Sequence, residues 1–334
     1  VTSLLVFCLF SPILKIFRAD GELAVYFTQY YRIMLLNYPL MVIGTILGMF
    51  IRVDGKPQVC MFVSIGGCIL NAVLDDILVA KFAVGVSGSA AASLIVQAVT
   101  VLVQLLYFAG PSLSLRFRRF HFDRAVNRET ILNGSSEFMT NASSSVVNML
   151  YNTQLMHLAG ADGVAAYGVI MYANFIFAAI YLGYSMGSAP ITSYNYGAGN
   201  HSELKNMLKK SLSLIAVTGV CLTLISEFFS HPLINIFVGY DADLFAMTLH
   251  GFRLYAFVFL INGFNIWASS FFTALNNGVV SGMIAFLRTL LFQIGCIMLL
   301  PILLGLNGIW MGVVVAEMLT LIVTIYFLRS RKKV

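Results

Sequence analysis

The sequence predicts an all-α polytopic membrane protein built from two pseudo-symmetric, parallel helical bundles. Three observations carry that prediction. The chain is 59% hydrophobic and only 10% charged, with a mean hydropathy of +0.88, whereas ordinary soluble domains carry roughly 25% charged residues. Its apolar residues fall into runs of roughly 20, long enough to cross the hydrocarbon of a bilayer. A three-span module also occurs twice in the same orientation, about 220 residues apart.

Inside a bilayer every backbone N–H and C=O must be satisfied internally, so such runs cross as helices. Spans are expected near 1–18, 28–51, 58–82, 86–109, 130–156, 163–190, 209–235, 246–274, 279–303 and 307–328. In the first module Arg32 opens a span that ends at Gly55, and a second span leads to Gly85-Val86-Ser87-Gly88. A third passes Gln97 and closes at Tyr107-Phe108. The copy runs from Arg253 through Asn277-Gly278 and Gly305-Leu306-Asn307-Gly308 to Glu317 and Tyr326-Phe327. Gly85 to Gln97 and Gly305 to Glu317 are both twelve residues, so the two modules are in register where they are clearest. Duplicated spans of this kind are typical of secondary transporters, whose substrate site lies between two halves that rock against each other.

Six spans separate the start of one module from the start of its copy, so each half should hold six helices. Three spans precede the second module and only one precedes the first. The chain also begins at Val1, inside an apolar run and without a charged leader region. It is therefore expected to be a fragment of a twelve-helix protein lacking the first two helices. On that count 1–18 is the third helix, 58–82 the fifth, 86–109 the sixth and 130–156 the seventh. The expected organisation is an N-terminal half at 1–109, a basic linker at 110–129, a C-terminal half at 130–328 and a tail at 329–334.

Charge orients the spans. With the turn at 52–56 in the cytoplasm, Arg52, Lys56, Arg116, Arg118, Arg119, Arg124 and Arg128 fall on that side. Lys205, Lys209, Lys210 and the tail Arg329, Arg331, Lys332 and Lys333 join them, leaving Lys15, Arg18 and Lys81 opposite. The positive-inside rule then predicts a cytoplasmic C-terminus. The net charge of +6 follows from this topology and needs no nucleic-acid partner. In the linker Phe117, Phe120 and Phe122 interleave with arginines, as in an amphipathic helix lying on the lipid surface. Cys8, Cys60, Cys68, Cys221 and Cys296 all lie in apolar spans without metal-ligand spacing, and no disulfide is expected.

Polar groups are costly in a bilayer helix, so polar stripes point at a cavity or a neighbouring helix. The span at 130–156 carries Glu137, Asn141, Ser144, Asn148 and Asn152, spaced by four, three, four and four. Similar stripes are Ser89, Ser93, Gln97, Thr100 and Gln104 on the sixth helix, and Asn262, Asn265, Ser269 and Thr273 on the tenth. A looser set on the eighth is Asn174, Tyr181, Ser185 and Ser188. Any one of these residues suits interhelical hydrogen bonding, worth roughly 1 kcal/mol or less. The four stripes together favour a wet cleft, with Glu137, Asn141, Asn148, Asn174 and Asn265 as candidate substrate contacts.

The sharpest candidate is Asn71 with Asp75, an i,i+4 pair that puts an amide and a carboxylate on one helix face, with Ser64 two turns earlier. Such a set suits a small hard cation, and a carboxylate in a low-dielectric pocket can also carry a proton near neutral pH. The alternative is a helix end solvated by headgroup water. Asp76 points about 100° away from that face. Arg32 and Arg253 are expected to snorkel at span ends, and Arg288 and Glu317 to form a buried structural pair. His157, His201, His231 and His250 fall at span ends or in loops.

Several motifs, in order, resemble the multidrug and toxic compound extrusion (MATE) transporters. They are Asn71-Ala72-Val73-Leu74-Asp75, Gly85-Val86-Ser87-Gly88-Ser89-Ala90, the run from Ala189-Pro190 through Tyr194-Asn195-Tyr196-Gly197 to Asn200, and the Gly305-to-Gly312 run. The resemblance spans the whole chain and is nearest to the bacterial MepA-like branch. It implies an antiporter of the bacterial plasma membrane that expels amphipathic organic cations in exchange for Na⁺ or H⁺, with no other cofactor and as a monomer. Family members build a cation site from an Asp on the first helix, an Asn and an Asp on the fifth and a hydroxyl on the sixth. Asn71, Asp75 and Ser93 match the parts this chain contains, and are the only expected Na⁺ ligands. Some members use a Glu on the seventh helix with an Asp on the tenth. Here Glu137 lies about two turns early and the tenth helix has no acid, so a cation site in the C-terminal half is not expected.

Three rival classes remain, one of them a non-transporting sensor, which would be expected to carry an appended soluble domain. A lipid-linked precursor flippase of the wider superfamily would favour a basic cleft to hold pyrophosphate. An integral membrane enzyme would need an acid–base cluster or an activated nucleophile at one membrane face, and neither pattern occurs. No phosphate-binding glycine loop is present, which fits gradient-driven rather than ATP-driven transport.

Overall fold

The computed structural model describes residues 22–110, 115–116 and 123–330. The predicted span at 1–18 and the linker residues Phe117, Phe120 and Phe122 lie outside them. Every element among the described residues is helical, and eight helices are long and apolar enough to cross a membrane. The chain divides into two compact units, Val1–His121 and Phe122–Val334.

In the first unit α1 (Glu22–Val53) and α2 (Pro57–Asp75) pack on α3 (Val86–Ala109). Gly55, at φ 83°, turns the chain after α1, and Pro57 opens α2 where a missing N–H costs nothing. The Gln97 amide donates to the Leu40 carbonyl at 3.3 Å. Near the end of α1 the buried Asp54 carboxylate accepts from Tyr107 Oη at 2.6 Å and from the Leu115 N–H at 3.0 Å. The residues after α2 widen into a π-helix, Asp76–Lys81.

In the second unit α4 (Arg124–Gly197) is capped by Asp123, whose carboxylate accepts from the Ala125 N–H at 2.8 Å. The helix therefore begins inside the stretch read as linker. It breaks at Gly160, at φ 64° and ψ −152°, into the two spans expected at 130–156 and 163–190. Next come α5 (His201–Phe228), α6 (Ser230–Val238) and α7 (Ala242–Ala256). A 3-10 turn (Phe257–Leu260) leads to α8 (Asn262–Ala274), then α9 (Gly278–Phe286), a second π-helix (Leu287–Phe292), α10 (Gln293–Leu304) and α11 (Leu306–Ser330).

Two expected spans are corrected. The span placed at 209–235 is α5, which starts at His201 and stops at Phe228, followed by the separate α6. Pro232 sits in the first turn of α6, where its missing N–H costs no helical hydrogen bond. Lys205, Lys209 and Lys210 consequently lie within a helix. The span placed at 246–274 is interrupted by the 3-10 turn. Tyr181 Oη donates to the Phe259 carbonyl at 2.7 Å, which satisfies a backbone group that the interrupted helix leaves over.

The duplicated module has a shared backbone device. Gly85 and Gly305 take φ of 71° and 57°, and in each copy the N–H three residues on, of Gly88 or Gly308, returns to that glycine's carbonyl at 3.0 Å. A Cβ at Gly88 would stand 3.2 Å from the Leu78 carbonyl oxygen, and one at Gly308 would collide with the Leu300 carbonyl. The glycines spaced alike in sequence do the same work in both halves.

Candidate functional sites, one in each half

In the first unit Asn71 and Asp75 share a face of α2, and both are half-buried. Asp75 Oδ1 is buried and has no hydrogen-bond partner among the described residues. Gly67 of α2 faces Val96 and Thr100 of α3, and Leu78 faces Gly88. The antiparallel register between these contacts brings the half-buried Ser93 to the level of Asn71 and Asp75. Asp76 points elsewhere and pairs with Lys81 at 3.0 Å in an exposed ion pair. Ser64 is exposed. The π-helix begins immediately after Asp75, and such local widenings recur at functional sites. An amide, a carboxylate short of donors and a hydroxyl thus lie at one level of the helix pair, residue types whose oxygens suit a small hard cation.

The second unit holds an open cavity of about 290 Å³. Ser144, Asn148, Asn174, Asn262, Arg288 and Glu317 bring polar groups to its wall. Tyr167 Oη donates to Asn148 Oδ1 at 3.0 Å, while the buried Asn262 Oδ1 is without a partner. Arg288, in the second π-helix, donates through Nε to Glu317 Oε1 at 2.7 Å. Asn265 Nδ2 donates to Glu317 Oε2 at 2.7 Å and to the Glu317 carbonyl at 3.0 Å. Thr324 Oγ1 holds the other end of that amide, donating to Asn265 Oδ1 at 2.9 Å. The Glu317 side chain is only 7% exposed. Burying a carboxylate so deeply is tolerable because each oxygen has a strong donor and the charge is matched.

The MatE family matches residues 1–77 and 137–298. The chain belongs to the MatE family. It is 25% identical over 326 residues to the multidrug export protein MepA of Staphylococcus aureus, an alignment that takes in 96% of this chain and 71% of that protein. The counterpart in Staphylococcus saprophyticus is 25% identical over 329 residues, again with 96% and 71% covered. Among solved structures, a multidrug resistance MATE family transporter in an outward-facing conformation superposes with a TM-score of 0.90 at 22% identity, over 98% of this chain and 74% of that one. A Vibrio cholerae MATE transporter gives 0.88 at 18% identity, over 98% and 76%. At these identities the structural likeness shows the fold, that of a multi-pass MATE transporter.

Within this MatE chain the expected site residues fall into four groups. Asn71, Asp75 and Ser93 come to one level of the α2–α3 pair. Asn148 and Asn174 line the cavity of the second unit. Glu137 and Asn141 are exposed and outside that cavity wall, with Asn141 Nδ2 donating to the Glu137 carbonyl at 2.8 Å. Asn265 is fully buried behind the wall and orients Glu317 instead of facing the cavity. Sequence reasoning paired Arg288 with Glu317 but not with a cavity. The signal was present: two opposite charges in apolar spans, with Asn262 and Asn265 on the facing stripe.

Proposed function

We propose that this MatE chain works as an ion-coupled antiporter of the bacterial plasma membrane, exporting amphipathic organic cations by alternating access, with its C-terminus in the cytoplasm. The observation that carries the reading is the buried, unpartnered Oδ1 of Asp75 beside Asn71 and level with Ser93. A carboxylate oxygen without a donor in a membrane helix has room for a proton or a bound Na⁺ as its missing partner. Neutralisation removes the charge that disfavours repacking of its half, and that repacking would release the exported cation outward. The driving force is the ion gradient, about 2.3 kcal/mol per charge per 100 mV of potential. The multidrug export named for the staphylococcal relatives supports the substrate class. Arg288 is the one basic side chain on the cavity wall and Glu317 neutralises it, so no surplus positive charge is left there for a flippase's pyrophosphate.

The test is efflux of a fluorescent lipophilic cation from cells expressing the native protein or Asp75→Asn at equal levels. Loss of efflux in the variant supports the reading, and swapping Na⁺ and pH gradients then names the ion. Equal efflux from both would contradict it.

A further inference from the structure

One corner of the second unit gathers cations without counter-charges. Lys205, Lys209 and Lys210 are exposed in the first three turns of α5, and Arg329 is exposed in the last turn of α11. None of the four pairs with an acid among the described residues. Glu203, the acid nearest the lysines in sequence, instead accepts from Asn206 Nδ2 at 3.3 Å. Beside these charges an open groove of about 320 Å³ runs between α5, α8 and α11. Leu212, Phe264, Leu321, Ile325 and Leu328 form its wall, and Arg329 stands at one end. Thr324, the other polar residue there, is buried and spends its hydroxyl on Asn265 Oδ1. Leu328 also lines a neighbouring hollow together with Lys205, so the groove opens toward both cations. Leu321 and Arg329 are eight residues apart, about 12 Å of helix. That is close to one leaflet of a hydrocarbon core roughly 30 Å thick.

We infer that this groove is a binding site for an anionic glycerophospholipid. One acyl chain lies along Leu321, Ile325 and Leu328, and the phosphate sits at the mouth where Lys205 and Arg329 stand. Lys209, one helical turn beyond Lys205, adds to the same positive field. Charge complementarity selects this occupant. A phosphodiester supplies the anion that the four cations lack, and its acyl chain covers the apolar wall. A zwitterionic lipid would cover the wall but bring a cation of its own to the mouth. A free phosphate would meet the charges and leave the wall bare. Basic pockets between membrane helices hold anionic head groups on the same physical grounds. The groove shares no lining residue with the cavity that holds Arg288 and Glu317. It therefore goes beyond the export reading and does not depend on it.

Native mass spectrometry of the purified protein, with phosphatidylglycerol and phosphatidylcholine added at equal concentration, reads which lipid it holds. The native chain should prefer phosphatidylglycerol. Lys205→Gln with Arg329→Gln should weaken phosphatidylglycerol binding by roughly 10- to 30-fold, about fivefold for each basic group near an anionic head group. The same pair should leave phosphatidylcholine binding unchanged. Arg124→Gln with Arg128→Gln removes two exposed charges outside the groove and should alter neither lipid. Ile325→Trp narrows the groove without touching a charge and should weaken both lipids. All of these side chains are exposed, so the fold is retained, which a thermal melt verifies. Equal affinity of the native chain for the two lipids, or equal loss of phosphatidylglycerol in the two charge variants, would overturn the inference. Displacement of the lipid by glycerol phosphate would overturn it too, by assigning the site to a free anion. So would a lipid-free dimer that Ile325→Trp breaks, which would give this face to a second copy of the chain.

Discussion

Asp75 and Glu317 are both carboxylates within apolar helices of a duplicated module, and the protein surrounds them in opposite ways. Asp75 Oδ1 is buried with no donor among the described residues. Glu317 has Arg288 on one oxygen and Asn265 on the other, each at 2.7 Å, and Thr324 anchors Asn265. The position matching Glu317 in the first module is Gln97, whose amide simply bonds the Leu40 carbonyl. The backbone device repeats faithfully at Gly85 and Gly305, while the charged chemistry does not. A duplicated fold has thus diverged at its acids: one half leaves a carboxylate oxygen without a donor, and the other supplies a permanent cation from its own chain.

The largest expected effect comes from breaking the closed side of this comparison. Arg288→Met should strand the Glu317 charge and cost about 3–5 kcal/mol, the usual penalty for splitting a buried pair. The double change Arg288→Met with Glu317→Gln should recover most of that loss, because both charges leave together. Thermal unfolding of the purified variants in detergent reads both values. A double variant as unstable as the single one would show that the pair is not the unit described.

The duplicated glycines come next. Gly308→Ala should cost about 1–3 kcal/mol, as overpacking against backbone does, because its Cβ meets the Leu300 carbonyl. Gly88→Ala, with 3.2 Å to the Leu78 oxygen, should cost less than Gly308→Ala. The same unfolding assay ranks them, and a reversed order would break the equivalence of the two turns.

On the open side stability should hardly change. Asp75→Asn removes no hydrogen bond of Oδ1, so a shift within about 1 kcal/mol is expected, together with loss of ion-driven efflux. Smallest of all, Asp76→Asn should shift stability by less than about 0.5 kcal/mol and leave efflux intact, since its pair with Lys81 is exposed. Equal loss of efflux from the two variants would sharpen the comparison against Asp75, because the adjacent carboxylate would then matter as much.

Much of this was legible in the sequence because bilayer physics writes long signals. The apolar runs and the glycines at 85, 88, 305 and 308 are set by local chemistry and read directly. Gly160 falls in the gap left between two expected spans. The break at Phe257–Leu260 left no such mark, since Phe-Val-Phe-Leu is an ordinary helical run and tertiary contacts such as Tyr181 Oη to Phe259 make it tolerable. Pro232 did mark the restart of α6, and an apolar window averages over it. Site residues were harder for a related reason. The helical stripe containing Glu137, Asn141 and Asn148 shows that these residues share a face, but only packing decides that Asn148 reaches the cavity and Glu137 does not. Asn265 lies on a stripe that turns inward to a carboxylate, a role that periodicity alone cannot distinguish from facing water.

The deciding measurement is gradient-driven efflux of a carboxylate-free lipophilic cation from proteoliposomes. It compares the native chain, Asp75→Asn, and the Arg288→Met with Glu317→Gln double variant. If ion coupling belongs to the open carboxylate alone, the double variant still responds to the imposed ion gradient and Asp75→Asn does not. A gradient response that survives in Asp75→Asn but disappears in the double variant would place coupling in the other half and contradict the account.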